Sequence, residues 1–510
     1  MPRYAAIDLG SNSVRLMVAE ADRAGGMETL AEDRQVTRLG ESVFRTGQLD
    51  GQVAEVALGV LARMARVYKG YSPLAVRVVA TAALRDASNS DDFLDRASEI
   101  AGVPVEIISG QEEARLIHLG VEARWPHPAE RVLMIDIGGG SAEIIEGVGG
   151  QMQAAFSRPM GAVRLQSLIV NDDPPSLEDL GRLREYIDEK LAVAVRRIPR
   201  GGFARAIGTS ASASAVVCAV NRIPRAKREL ADRRRATVEE IRKLYEQLSA
   251  MNLAARRKLV GIGPRRAEII LPGAAVLLRV LEEFDIPQLA YCAAGVRDGI
   301  IRDLALRGVG RERARLDREQ RAMVERFARR FGVDLRHARH VAGFARELFD
   351  ALAPLHGRPP EEGRLLEAAA YLRDVGHAIN DTSHHKHSRY IVANSDLAGF
   401  TAEERERVAI LCRYHRKAVP VARHEEYQGL TPDGRRSVLM LAPLLRLADA
   451  LDRSRDQRVE AIRCSVKNGP VELLMKSPID AGLEQWAVEG AGAFFRQAYE
   501  RTLVVAREQT

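Results

Sequence analysis

Cysteine is scarce in this sequence. Its four residues, Cys218, Cys292, Cys412 and Cys464, are scattered, with no C-x-x-C pair among them. That argues against a disulfide framework and a cysteine zinc site, and it fits a reducing compartment. Aromatic residues make up only 5% of the chain, which gives little support for a platform on which nucleic-acid bases stack. Long apolar runs are missing as well. The longest, such as Ala267–Leu278, fall short of the ~20 residues that a membrane helix needs. Asp8 stands where a secretory leader would need its apolar core. Low-complexity tracts and Ser/Gly-rich linkers are absent too. These absences predict a cytoplasmic protein with neither membrane nor nucleic acid as a partner.

What remains is a large globular chain. Its 510 residues predict roughly three or four domains at ~100–200 residues each. Hydrophobic residues form 46% and charged residues 28%, with a net charge of +7. Arginine is dense in 196–200, 222–235, 256–266 and 307–321. Any one run reads as a solvated helix face. Together they favour a polyanionic ligand, whether nucleic acid, polyphosphate or nucleotide.

Strands and helices alternate through the first 305 residues. Apolar runs predict strands at Arg3–Asp8, Val14–Ala19, Val76–Ala82, Val105–Ile108 and Arg131–Ile135, with helices at Asp91–Ala101 and Gln111–Ala123. The chain then repeats itself. Ile7-Asp8-Leu9-Gly10-Ser11-Asn12-Ser13 echoes Ile135-Asp136-Ile137-Gly138-Gly139-Gly140-Ser141. Asp8 falls on Asp136, Gly10 on Gly138 and Ser13 on Ser141, and an apolar strand follows each copy. This predicts a duplication, with two α/β lobes presenting Gly/Ser hairpins to a shared cleft. A third glycine loop, Gly208-Thr209-Ser210, leaves a strand and opens the small-residue helix Ala211–Val220, which offers an anion a helix N-terminus. The charged segment Arg307–Arg321 is the expected connection to a helical second half, which holds nine of the eleven histidines.

The segment Asp136–Glu143 carries the most chemistry. Its three glycines allow unusual backbone conformations and close approach to phosphate. Asp136 and Glu143 offer two hard carboxylates that suit Mg²⁺. Glu112 and Glu113 open a helix, where acids usually complement the dipole, although one beside bound phosphate can deprotonate a water. Arg85 follows a strand end, and its guanidinium can fork two phosphate oxygens.

In order, IDLGSNSVRL, ATAALRDA, IISGQEEARL, IDIGGGSAEI, GTSAS, RAEIILPGAAVL and AAGVRDGII resemble the exopolyphosphatase and guanosine pentaphosphate phosphatase family. The resemblance implies an α/β fold: two duplicated ribonuclease-H-like lobes of actin-like ATPase type, followed by an all-α HD-like domain and a small C-terminal α+β domain. The expected borders are 1–125, 126–305, 306–455 and 456–510. It also implies Mg²⁺-dependent, processive hydrolysis of terminal phosphate from inorganic polyphosphate, by a homodimer. Guanosine pentaphosphate (pppGpp) hydrolysis and a non-catalytic binding role stay open. Carried over by motif, Glu113 resembles the base and Arg85 the phosphate-binding arginine. Asp136 and Glu143 resemble the metal carboxylates. Ser11, Asn12 and Ser13, then Gly138, Gly139, Gly140 and Ser141, then Gly208 and Thr209, resemble three phosphate loops.

The second half resembles the HD family of metal phosphohydrolases, with Arg373-Asp374 standing where His-Asp is required. An arginine cannot ligate a metal. The expectation is therefore a helical domain without a dinuclear centre at His340, Asp374 and Asp449. Asp374 is expected to pair with an arginine. His384, His385, Lys386, His387 and Arg389 are expected to form a positive face. The tail is expected to end in a helix at Gly490–Arg507.

Overall fold

The computed structural model describes residues 1–306, 315–466 and 469–508. They form two compact units, split between Leu306 and Arg307. Most of the expected charged connection, residues 307–314, lies outside the described residues.

Unit one contains two sheets. Strands β1 (Arg3–Leu9), β2 (Ser13–Ala21), β3 (Met27–Val36), β4 (Ala75–Ala80) and β5 (Val105–Ile107) lie in the order β3-β2-β1-β4-β5. The first three are antiparallel, and β4 and β5 run parallel to β1. The second sheet has β6 (Arg131–Ile137), β7 (Ala142–Val148), β8 (Gln151–Arg158), β9 (Arg205–Gly208), β10 (Arg235–Thr237) and β11 (Gln288–Tyr291). Its order is β10-β11-β9-β6-β7-β8, so without the edge strand β10 it repeats the first sheet. This is the ribonuclease-H-like topology twice over, in the actin-like arrangement. The central strands are apolar at successive positions because helices cover both of their faces, as parallel sheets require.

The polar strand β3 and the mixed strand β8 escape a periodicity reading. Each is the outer strand of a three-stranded meander, half exposed, and held by pairing to its inner neighbour. The helix Val296–Leu306 returns to the first sheet, where Ile300, Ile301 and Leu304 pack with Tyr4, Ala6 and Met17. It also carries Asp303 into a buried ion network. Arg115 reaches Glu112 and Asp303 at 2.8 Å each, and Arg77 reaches Glu112 at 3.1 Å and Asp303 at 3.2 Å.

Unit two packs its helices about one apolar core. They include Arg318–Arg330, Leu335–Ala351, Gly363–Leu372, His384–Ala393, Ala402–Tyr414 and Pro432–Ala450. A small sheet follows, β12 (Ala461–Val466), β13 (Val471–Lys476) and β14 (Leu503–Glu508), with the helix Gly482–Tyr499. The expected terminal helix at Gly490–Arg507 is thus placed too late. Glu500 turns left-handed at φ 54°, and Leu503-Val504-Val505 pairs in parallel with β13. β-branched residues there favour the strand. No helix among the described residues is long and apolar enough to cross a membrane.

Candidate active site

The two hairpin turns meet. Gly10 N–H donates to the Ser13 carbonyl at 3.2 Å, and Gly138 N–H to the Ser141 carbonyl at 3.0 Å, so the duplicated register extends to the same closing bond. Gly40 N–H braces the Ser11 carbonyl, as Val163 N–H braces that of Gly139. Among the described residues, the Ser11, Asn12, Gly139 and Gly140 amides donate to no backbone carbonyl. That leaves a ring of N–H donors fit for an anion. Gly138, Gly139 and Gly140 do not adopt left-handed backbone; the reason for two of them is space. A Cβ on Gly139 would lie 2.9 Å from Ser11 Cβ, and one on Gly140 would lie 2.7 Å from Ala82 Cβ.

A cleft of about 780 Å³ opens at these turns. Asp8, Ser11, Asn12, Ser13, Glu113, Asp136 and Gly138–Ser141 line it. Glu143 sits directly across the β6–β7 ladder from Asp136 and is fully buried. Register puts both carboxylates on one face of the sheet. Ser157 Oγ donates to Glu143 Oε1 at 2.8 Å, and the Thr209 hydroxyl donates to Asp136 Oδ2. Thr209 therefore braces a carboxylate. Gly208 is walled in by Ala213 and Leu289, and the third loop reaches the cleft instead through Ser210, Ala211 and Ser214. Ser210 is left-handed at φ 73° and its buried hydroxyl has no partner, a strained position of the kind that collects at functional sites.

Glu113 lies in the first turn of the helix Gly110–Arg124, which Ser109 caps. Its neighbour Glu112 is held in the ion network, so Glu113 turns to the cleft. Arg85 donates to the Ile108 carbonyl at 2.6 Å and stands 3.8 Å from Glu113. Burial, then Glu143, hold the Glu113 carboxyl well above its usual range, with Asp8 and Asp136 adding to this and Arg85 opposing. Glu143 is pushed up to about 7 by burial and then by Asp136. Burial also raises Asp8 and Asp136. Asp8 Oδ1, Glu113 Oε2 and Glu143 Oε2 are buried without hydrogen-bond partners. A cluster of four acids with three orphaned oxygens fits a hard divalent cation.

Sequence reasoning pointed to arginine runs but to no single arginine of the cleft. Arg15, Arg34, Arg225, Arg228, Arg265 and Arg266 all line the cleft. Burial first, then the neighbouring guanidinium groups, lower Arg34 to about 9 and Arg266 to about 10. The 222–235 and 256–266 runs held the signal for four of the six. Arg15 and Arg34 lie in strands, where no run marks them. Elsewhere Arg200 is spent on Glu283 at 2.8 Å.

In unit two, Arg373 is fully buried. It donates to Asp449 at 2.6 Å and to His337, which also bonds Asp452 at 2.8 Å. Asp374 pairs with Arg455 at 3.2 Å. The histidine of this group is His337. His340 faces away, bonding the Val459 carbonyl and packing on Phe344. The expected positive face is also corrected. His384 and His385 are buried, which lowers both, His385 to about 3, and Arg389 pairs with Glu406.

Two facing ribonuclease-H-like lobes, with a carboxylate cluster and an arginine-lined anion cleft between them, define a phosphoanhydride hydrolase. The profile of the Ppx/GppA phosphatase family matches residues 17–308, and that of its domain III matches residues 320–484. The chain belongs to this family. An exopolyphosphatase-like protein of known structure is 30% identical over 59% of this chain and 97% of its own, with a TM-score of 0.56. The Aquifex aeolicus family member is 27% identical over 61% and 99%, with a TM-score of 0.53. An exopolyphosphatase from Cytophaga hutchinsonii, at 23% identity over 60% and 99%, shares the fold with a TM-score of 0.54.

Proposed function

We propose that this phosphatase removes terminal phosphate from inorganic polyphosphate. The observation that supports this substrate is the group of arginines at 15, 34, 225, 228, 265 and 266. Arg15, Arg225, Arg228 and Arg266 lower the basicity of Arg34, and Arg15 and Arg225 that of Arg266, so the group calls for several anionic groups in sequence. Tyr291 is the one aromatic residue among those lining the cleft, which offers a purine little to stack on.

Glu113 takes a proton from the attacking water. Its raised basicity suits a proton acceptor. The turn amides and Arg85 hold the terminal phosphate, and the Ile108 carbonyl fixes the direction of that guanidinium. Asp136 and Glu143 would hold Mg²⁺, with Asp8 beside them, and the ion supplies positive charge to the transferring phosphoryl group. Thr209 and Ser157 orient the two carboxylates.

The test is phosphate release from long polyphosphate and from guanosine pentaphosphate in parallel, with Mg²⁺. Faster turnover per enzyme on polyphosphate is expected. A strong preference for the nucleotide would move the assignment to guanosine pentaphosphate hydrolysis. Release from neither would leave a binding role.

A further inference from the structure

Unit two holds a second constellation that the hydrolytic cleft does not use. Asp374 divides its oxygens. Oδ2 faces Arg455 at 3.2 Å and Arg373 at 3.6 Å, whereas Oδ1 faces three imidazoles. His377 Nε2 and His384 Nε2 each lie 3.8 Å from Oδ1, and His415 Nε2 lies 4.0 Å from it. His384 Nε2 and His415 Nε2 are 3.3 Å apart.

The far side of each ring fixes what these nitrogens are. His415 Nδ1 meets the Cys412 carbonyl at 2.7 Å, His384 Nδ1 the Asp381 carbonyl at 3.2 Å, and His377 Nδ1 the Asp381 carboxylate at 2.6 Å. An oxygen acceptor calls for N–H, so the neutral rings of His377 and His415 carry their lone pairs on Nε2; His384 does so when its Nδ1 bonds the Asp381 carbonyl rather than the Arg416 guanidinium. Imidazoles that ligate metals are held in this way by an oxygen behind them. With both lone pairs on Nε2, the 3.3 Å approach of His384 and His415 calls for positive charge between them. The Arg416 guanidinium is 3.5 Å from His384, but on the Nδ1 side.

We propose that Asp374, His377, His384 and His415 form a site for a single borderline divalent cation of the zinc class. Four donors at about 2.0–2.2 Å from such an ion stand about 3.3–3.6 Å from one another; the 3.8–4.0 Å distances of the three imidazoles to Asp374 Oδ1 and the 3.3 Å between His384 and His415 need only a small contraction, and the partly exposed His377 would swing toward His415. Imidazole with one carboxylate selects zinc, cobalt or nickel over magnesium. The site takes one ion because Arg373, bonded to Asp449 and His337, fills the adjoining space with fixed charge. His377, at 34% side-chain exposure, gives the ion its way in. The bound ion would clip the turn at 374–377 to the start of the helix His384–Ala393 and the end of the helix Ala402–Tyr414.

The experiment uses the full chain, stripped with chelator and titrated with Co²⁺ in Mg²⁺ buffer. One equivalent should bind and give the visible ligand-field band of a four-coordinate ion, which Zn²⁺ then displaces. His415→Asn keeps a donor toward the Cys412 carbonyl and removes Nε2, and it should abolish the band. His377→Ala alters a partly exposed side chain and should weaken Co²⁺ at least tenfold, so it decides the matter should the first variant misfold. Asp136→Asn, in the other unit, should leave the band unchanged. No band in the parent chain, or equal affinity in His377→Ala, overturns the proposal.

Discussion

Glu113→Gln separates catalysis from stability, because the structure predicts opposite signs for the two. The change keeps the shape of the side chain and removes its charge. Loss of a general base costs about 10²–10⁴-fold in turnover, or about 3–5 kcal/mol of barrier at 1.36 kcal/mol per decade. Folding responds the other way. The Glu113 carboxyl is raised above its unfolded value by burial and then by Glu143. An acid whose pKa is higher in the native state binds its proton more tightly there. At pH 8, above the unfolded value, it therefore opposes folding. The amide removes that opposition, so unit one without divalent cation should melt higher than the parent. Added Mg²⁺ should shrink the difference, since the cation relieves the parent cluster more than the variant. Phosphate release and thermal melts with and without Mg²⁺ measure both. Turnover within a few-fold of the parent, or a variant that melts lower in chelator, would refute the placement of Glu113 among unneutralised acids.

Other outcomes follow from the same geometry. Asp136→Asn should raise the Mg²⁺ concentration needed for half-maximal phosphate release, and EDTA should abolish turnover by the parent. Arg225→Ala with Arg228→Ala should weaken long polyphosphate at least tenfold and flatten the salt dependence of its binding, checked by titration at two ionic strengths. Asp303→Asn should cost about 3–5 kcal/mol in a denaturant melt, because Arg77 and Arg115 lose a buried anionic partner that no water can replace.

The duplicated motif and the core strands were legible because glycine turns and apolar runs are local signals, whereas Glu113 was singled out only by the family resemblance. The echo of Asp8 in Asp136 announced the repeated sheet before any pairing was known. The reason for the glycines was not legible. Conformational freedom was the natural reading, yet the constraint on Gly139 is Ser11, 128 positions away in the chain. Burial misled in the second half. His384 and His385 read as charge from composition, and only packing shows them enclosed and neutral. His337 and His340 differ by less than one helical turn, so spacing alone could not say which faces Arg373. The run Leu503–Val505 was absorbed into a helix because its partner strand lies some thirty residues earlier.

The fit between the two hairpin turns bears on how such a molecule can arise. Ser11 and Asn12 occupy the space that Gly139 and Gly140 leave bare. Two copies of the serine turn would collide before the lobes met, and two copies of the glycine turn would leave a gap where the phosphate has to be gripped. A freshly doubled gene therefore encodes halves that cannot shut on each other. One half has to lose its side chains at this spot while the other keeps them, so symmetry had to break at the turn before the pair could grip a substrate between them. Copying the serine heptapeptide Ile7–Ser13 into positions 135–141 would restore that symmetry and hold the jaw open.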